Sequence, residues 1–129
     1  MTNDALATVN RFIQLIESKD LKGAVELVSN DCEYDNVPMR KVFGPDAIRE
    51  GLEAFLAPTT RVEWKIHREA VSGNVVFNER TDEFEFAFGT VSIPVTGVFE
   101  LNADGQIILW RDYFDLATFT KQMPGSASA

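Results

Sequence analysis

Cysteine is almost absent from this chain: Cys32 is the only one in 129 residues. A single thiol forms no internal disulfide. With His67 as the only histidine there is also no Cys/His cluster of the kind that holds zinc. Cys32 reads as a small buried strand residue rather than a redox centre. Positive charge is scarce too, with 12 Lys and Arg against 20 Asp and Glu. The net charge of -8 disfavours nucleic acid, whose phosphates need a basic surface, and an anionic membrane surface. No apolar run approaches the roughly 20 residues of a membrane span. The opening Met-Thr-Asn-Asp-Ala puts no basic segment before an apolar stretch, so a cytoplasmic location without membrane insertion is expected. A glycine-rich phosphate loop, a nucleophile elbow and a His-Glu-x-x-His pair are missing as well.

What the chain has in quantity is phenylalanine: 10 residues, enough to line a core or a pocket. A composition 45% apolar and 25% charged is that of an ordinary soluble globular chain, long enough for one domain with a real core. Leu6, Val9, Phe12, Ile13 and Ile16 recur at helical spacing over 4–18. Asp20 can cap a second short helix carrying Leu21, Ala24, Val25 and Val28, which Ser29-Asn30-Asp31 ends. Cys32 to Asn36 reads as a strand that Pro38 stops, with Cys32, Tyr34 and Asn36 on one face and Glu33 and Asp35 on the other. Gly44-Pro45-Asp46 turns into a third helix over 47–56, whose buried side is Ile48, Leu52, Phe55 and Leu56.

From residue 60 the period changes to two. Val62, Trp64 and Ile66 alternate with Glu63, Lys65 and His67, which leaves His67 on a solvated face. Strands over 75–88, 91–101 and 107–114 follow, the last two joined by the turn Asn102-Ala103-Asp104-Gly105. A short helix with Leu116 and Phe119 closes a single domain over 1–123, and 124–129 reads as a frayed tail. Helices first and strands after predict an α+β fold in which a long curved sheet carries helices on its concave side around a conical pocket.

Two strands break the apolar rule of their buried face. In 75–88 that face carries Val76, Asn78, Arg80, Asp82, Phe84, Phe86 and Phe88, so an arginine and an aspartate stand in line with three phenylalanines. In 107–114 Asp112 stands between Trp110 and Phe114, against an opposite face of Ile107, Leu109, Arg111 and Tyr113. Buried charges are costly unless paired and hydrogen-bonded. One guanidinium can donate to both carboxylates, and two nearby carboxylates resist ionising together, so the pair tends to share one proton. One member is then an acid and the other a base. The competing reading is a buried structural ion pair, which three converging charges near Tyr34 and Asn36 make the weaker of the two.

Tyr34-Asp35-Asn36-Val37-Pro38, Glu79-Arg80-Thr81-Asp82 and Trp110-Arg111-Asp112-Tyr113-Phe114-Asp115 together resemble the limonene-1,2-epoxide hydrolase family. The resemblance runs from the first helix to Phe119. It implies an NTF2-like (SnoaL-like) cone, a strongly curved mixed sheet with three to four helices on its concave side around a deep pocket. It implies that Asp82 donates a proton to the epoxide oxygen, that Asp112 deprotonates a water also held by Tyr34 and Asn36, and that Arg80 bridges the two acids. The reaction is then one-step hydrolysis of a bulky hydrophobic epoxide (terpenoid, steroid-like or fatty) by water, without a covalent ester, a metal or an organic cofactor. Ile13, Ile16, Phe55, Phe84, Trp110 and Phe114 are the expected pocket liners. The family's common dimer predicts a homodimer, for which Ile107, Leu109 and Tyr113 offer an apolar face. A ketosteroid-isomerase-like or polyketide-cyclase-like enzyme would use an acid–base pair without a held water. A hydrophobic-ligand binding protein on the same cone would need no buried charge.

Overall fold

The computed structural model describes residues 2–125, with side chains from Asp4 onward. Four of the six residues expected as a tail, 126–129, lie outside them. The elements are α1 (Thr2–Glu17), α2 (Leu21–Val25), β1 (Val28–Asn36), β2 (Lys41–Phe43), α3 (Pro45–Leu56), β3 (Thr59–Ser72), β4 (Val75–Phe86), β5 (Gly89–Leu101), β6 (Ile107–Tyr113) and α4 (Leu116–Gln122). The expected α+β architecture is present, with one six-stranded curved sheet in the order β2-β1-β6-β5-β4-β3. Every neighbouring pair is antiparallel except β1 and β6, which run parallel. No helix among the described residues is long and apolar enough to cross a membrane.

Helix α1 buries Ala5, Val9, Phe12, Ile13, Leu15 and Ile16 along one side. Phe12 meets the edge of Trp110 at 5.0 Å between ring centroids and Phe99 at 6.4 Å. This helix thereby packs the closed part of the sheet, and each fully buried aromatic or aliphatic side chain contributes roughly 1.5–3 kcal/mol. Helix α3 starts at Gly44 with φ 88°, a backbone state that glycine adopts without strain, and Pro45 occupies the first turn, where no N–H is missed. Its buried side is Ile48, Leu52 and Leu56, with Phe55 left half-buried.

Four details depart from the sequence reading. Pro38 ends β1 as expected, but the chain turns at once and returns as β2, too short for a period of two to register. Strand β1 also begins at Val28 rather than Cys32, because Val28 pairs with Ile107 before a bulge shifts the register to Glu33↔Leu109. A second irregularity between Glu100 and Leu101 turns Ile107 inward, fully buried, so the outer face of β6 keeps Leu109 and Tyr113 but not Ile107. Strand β4 ends two residues early, at Phe86. Phe88 lies in the following turn, 49% exposed and stacked on Phe86.

Within β4 the alternation holds: Val76, Asn78, Arg80, Asp82, Phe84 and Phe86 are all buried. The opposite face is wet and ion-paired, with Arg61 reaching Glu63, Glu83 and Glu85, and Lys65 reaching Glu83. His67 lies on that side, its Nε2 2.7 Å from the Thr81 hydroxyl.

Candidate active site

Strand register brings the polar residues of the inner face together. Asn78 and Asp112 are both cross-strand partners of Gly97, one from β4 and one from β6. Asn36 is the partner of Asp112 on β1, and Tyr34 that of Trp110. Partners across a sheet point to the same side, so residues scattered over 79 positions of the chain share one surface. The parallel β1–β6 pairing places Tyr34 and Asn36 beside Asp112.

Arg80 is the hub. Its Nε and Nη2 donate to Asp82 Oδ1 and Oδ2, both at 3.0 Å. The second Nη2 hydrogen reaches Asp112 Oδ2 at 3.1 Å, and Nη1 donates to Asn78 Oδ1 at 2.9 Å. The guanidinium carbon lies 4.9 Å from the ring centre of Trp64, a cation–π contact. All of this is desolvated: Arg80 is 1% exposed, Asp82 3% and Asp112 4%. Such a bidentate, charge-assisted arrangement fixes the relative position of the two carboxylates.

Gly97 makes the arrangement possible. Arg80 crosses β5 directly above it, and a Cβ there would lie 2.4 Å from Arg80 Nη1, 2.7 Å from Asn78 Oδ1 and 3.0 Å from Asp112 Oδ1. The backbone must come this close for one guanidinium to span from β4 to β6. Neither Gly97 nor Asn78 was singled out in the sequence, although both left signals there. A glycine inside a strand often marks close approach, and Asn78 stands two residues before Arg80 on the same face.

One cation facing two anions leaves a negative charge uncompensated in an apolar setting. Burial pushes the Asp82 carboxyl up to about 6 against the opposing pull of Arg80. Burial alone would lower the Arg80 guanidinium, but Asp112 and Asp82 outweigh it and hold Arg80 charged. Burial, then the charge of Asp112, push the Tyr34 hydroxyl well above its ordinary value, so it stays a neutral donor. Its ring stacks on Trp110 at 3.7 Å and 8° between planes. Asp112 Oδ1 is buried and accepts no hydrogen bond from the described residues, unlike its partner oxygen. A carboxylate with one pinned and one unengaged oxygen can take a proton without losing its anchor.

These groups form the polar end of a largely apolar cavity of about 290 Å³. Asp82, Asp112, Tyr34 and Asn36 line it, with Arg80 immediately behind. Of the expected wall residues Phe55, Phe84 and Phe114 are liners. Ile13 and Ile16 are not: they lie in the core of α1, 2% and 0% exposed, because that helix packs the closed part of the sheet. Trp110 is fully buried and supports the Tyr34 ring rather than facing the cavity. The open wall is instead supplied by α3, with Ile48 and Leu52, and by the short β1–β2 excursion, with Met39, Arg40 and Val42.

Comparison with known proteins gives a consistent picture. The model of the limonene-1,2-epoxide hydrolase catalytic domain matches residues 3–125. Epoxide hydrolase EphG of Mycobacterium tuberculosis is 33% identical over 108 residues, which span 84% of this chain and 71% of that protein. The structure of an LEH-like epoxide hydrolase from M. tuberculosis superposes with a TM-score of 0.83 at 32% identity, covering 93% of this chain and 89% of the other. A SnoaL-like protein from Shewanella putrefaciens CN-32 superposes equally well, TM-score 0.83, over 92% and 94% of the two chains. Its 17% identity speaks to the fold alone.

Proposed function

We propose a one-step, acid–base mechanism for this chain, which belongs to the limonene-1,2-epoxide hydrolase family and is an epoxide hydrolase. In this reading Tyr34, Asn36 and Asp112 hold a water against one carbon of the ring. The water oxygen bonds to that carbon as the ring C–O bond breaks. Asp112 takes the proton the water loses, and Asp82 gives its proton to the ring oxygen. The product is a vicinal diol, and the charge of the Asp82–Arg80–Asp112 group is the same before and after. The observation that carries the reading is the shared Arg80 Nη2, 3.0 Å from Asp82 and 3.1 Å from Asp112 at the end of an apolar cavity. Acid–base assistance supplies roughly a hundred- to ten-thousand-fold, and holding the water in line supplies much of the rest.

The substrate is a hydrophobic epoxide. About 290 Å³ lies at the lower end of the size range for small-molecule sites. A ring of terpenoid size or one segment of an alkyl chain fills such a space, and a longer substrate extends through the mouth. Single turnover with enzyme in excess in ¹⁸O-labelled water tests the mechanism across terpenoid, fatty and steroid-like epoxides. Direct attack puts the label in the diol at the first turnover. An unlabelled first diol would reveal an ester on a carboxylate and overturn the mechanism.

A homodimer belongs to the same reading. Phe77 and Tyr113 share the outer side of the sheet with Val98, and the two aromatics are 40% and 46% exposed. Replacing both with glutamate is expected to halve the mass seen by light scattering; an unchanged mass would place the interface elsewhere or show a monomer from the start.

A further inference from the structure

Among the described residues Arg40 is the one charged residue on the cavity wall for which hydrolysis has no use. The other ionisable liners, Tyr34, Asp82 and Asp112, are gathered at the reacting end. Arg40 lies in the loop between β1 and β2, exposed, beside Met39, which is 53% exposed. Both line the cavity, so together they form part of its rim: an apolar edge with a guanidinium next to it. No hydrogen bond or ion pair holds Arg40 among the described residues, and its neighbours are treated differently. Lys41 reaches Glu33 at 3.4 Å, Arg111 bridges Glu33 and Asp35, and Arg49 pairs with Glu53 at 3.2 Å. With 20 acidic side chains against 12 basic ones, partners are in surplus. A cation left open at the mouth of an apolar cavity in so acidic a chain points to a ligand.

From the rim inward the cavity thus runs from a cation, through apolar walls, to a buried group with two carboxylates and one guanidinium. We propose that the substrate is an amphiphilic epoxide with a carboxylate at one end. Arg40 receives that carboxylate at the mouth, and the apolar part lies along the cavity to set the ring against Asp82 and Asp112. This rests on the hydrolase reading and adds the substrate class to it. The direction of binding follows from charge. The one guanidinium at the inner end is already engaged by Asp82, Asp112 and Asn78, so an anionic group finds no open cation there and is drawn to Arg40. A guanidinium matches a carboxylate with two parallel hydrogen bonds. A lone guanidinium, with no second cation on this wall among the described residues, suits a singly charged group better than a phosphate. The net charge of -8 works against an anionic membrane surface as the alternative occupant.

The test is kinetic and uses the intact protein. A mid-chain epoxide of a long-chain fatty acid and its methyl ester are compared below their micelle-forming concentrations. For the wild type, kcat/KM is expected to be about three- to tenfold higher for the acid, as befits a solvent-exposed ion pair with good geometry. The advantage shrinks between about 20 mM and about 500 mM salt, as screening predicts. Arg40→Gln brings the acid-to-ester ratio to about one, and Arg40→Glu inverts it. Turnover of acid and ester with equal kcat/KM in the wild type, or a ratio undiminished in Arg40→Gln, overturns the role of Arg40 and leaves the hydrolase reading standing. Turnover of neither compound, nor of the neutral epoxides, overturns both.

Discussion

Asp112→Asn is expected to lower epoxide hydrolysis by about a thousandfold or more, and Asp82→Asn to do the same, in a protein that stays folded. Each substitution removes one proton-transfer group from a step that uses both, and such groups contribute roughly a hundred- to ten-thousand-fold each. Folding survives because an amide oxygen still accepts from Arg80, and because each change relieves the excess of negative charge buried around it. Initial rates on a neutral hydrophobic epoxide, beside a melting curve, check both halves. A variant keeping a tenth of the activity would lose its residue the assigned role. The pH profile separates the two acids. Asp82 must be protonated to act, and burial raises its carboxyl to about 6. The wild-type kcat/KM is therefore expected to fall as pH rises through that value, while the residual rate of Asp82→Asn shows no such limb. Stability has the same sign: a carboxyl raised in the folded state stabilises fully below its ordinary 3.8, and that contribution is lost as pH rises through about 6. Asp82→Asn is free of this loss, so its melting temperature relative to wild type rises across that window.

Gly97→Ala is expected to cost about a hundredfold in kcat, although position 97 carries no chemistry. The new methyl would sit 2.4 Å from Arg80 Nη1 and 2.7 Å from Asn78 Oδ1, far inside contact distance. Arg80 is tied by four hydrogen bonds and covered by Trp64, so it cannot step aside alone. Any accommodation moves the two carboxylates relative to each other, and misplacement by about 1 Å can cost on the order of a hundredfold. Overpacking should lower stability as well, by roughly 1–3 kcal/mol. Steady-state kinetics with thermal unfolding checks this, and a wild-type kcat would mean that Arg80 does not need its place above β5.

Much of the site was legible because period-two alternation survives where the sheet is regular. Arg80 and Asp82 betrayed themselves by sharing a face with phenylalanines, and Asp112 by standing between Trp110 and Phe114. The same logic failed where the strands are irregular. Ile107 changed face at a bulge, β1 started four residues early beyond another, and β2 was too short to have a pattern. Cavity walls were harder again. Ile13 and Ile16 are as apolar as Ile48 and Leu52, and only the packing of α1 against the closed part of the sheet separates core from wall. Gly97 and Asn78 acquire their meaning from partners across neighbouring strands, a relation that alternation within one strand does not contain.

The single parallel pairing in the sheet has a consequence in time. Strands β3, β4 and β5 are joined by short turns and can pair as they emerge, but β1 meets its inner neighbour only when β6 arrives, more than 70 residues later. Late, long-range closures of this kind slow folding. Until that closure Tyr34 and Asn36 are separated from Asp112, however complete the meander already is. Recovery of hydrolysis on refolding therefore times the final zipping of the sheet, and a ribosome-bound chain lacking its last strand has the β3–β4 and β4–β5 hairpins and no enzyme.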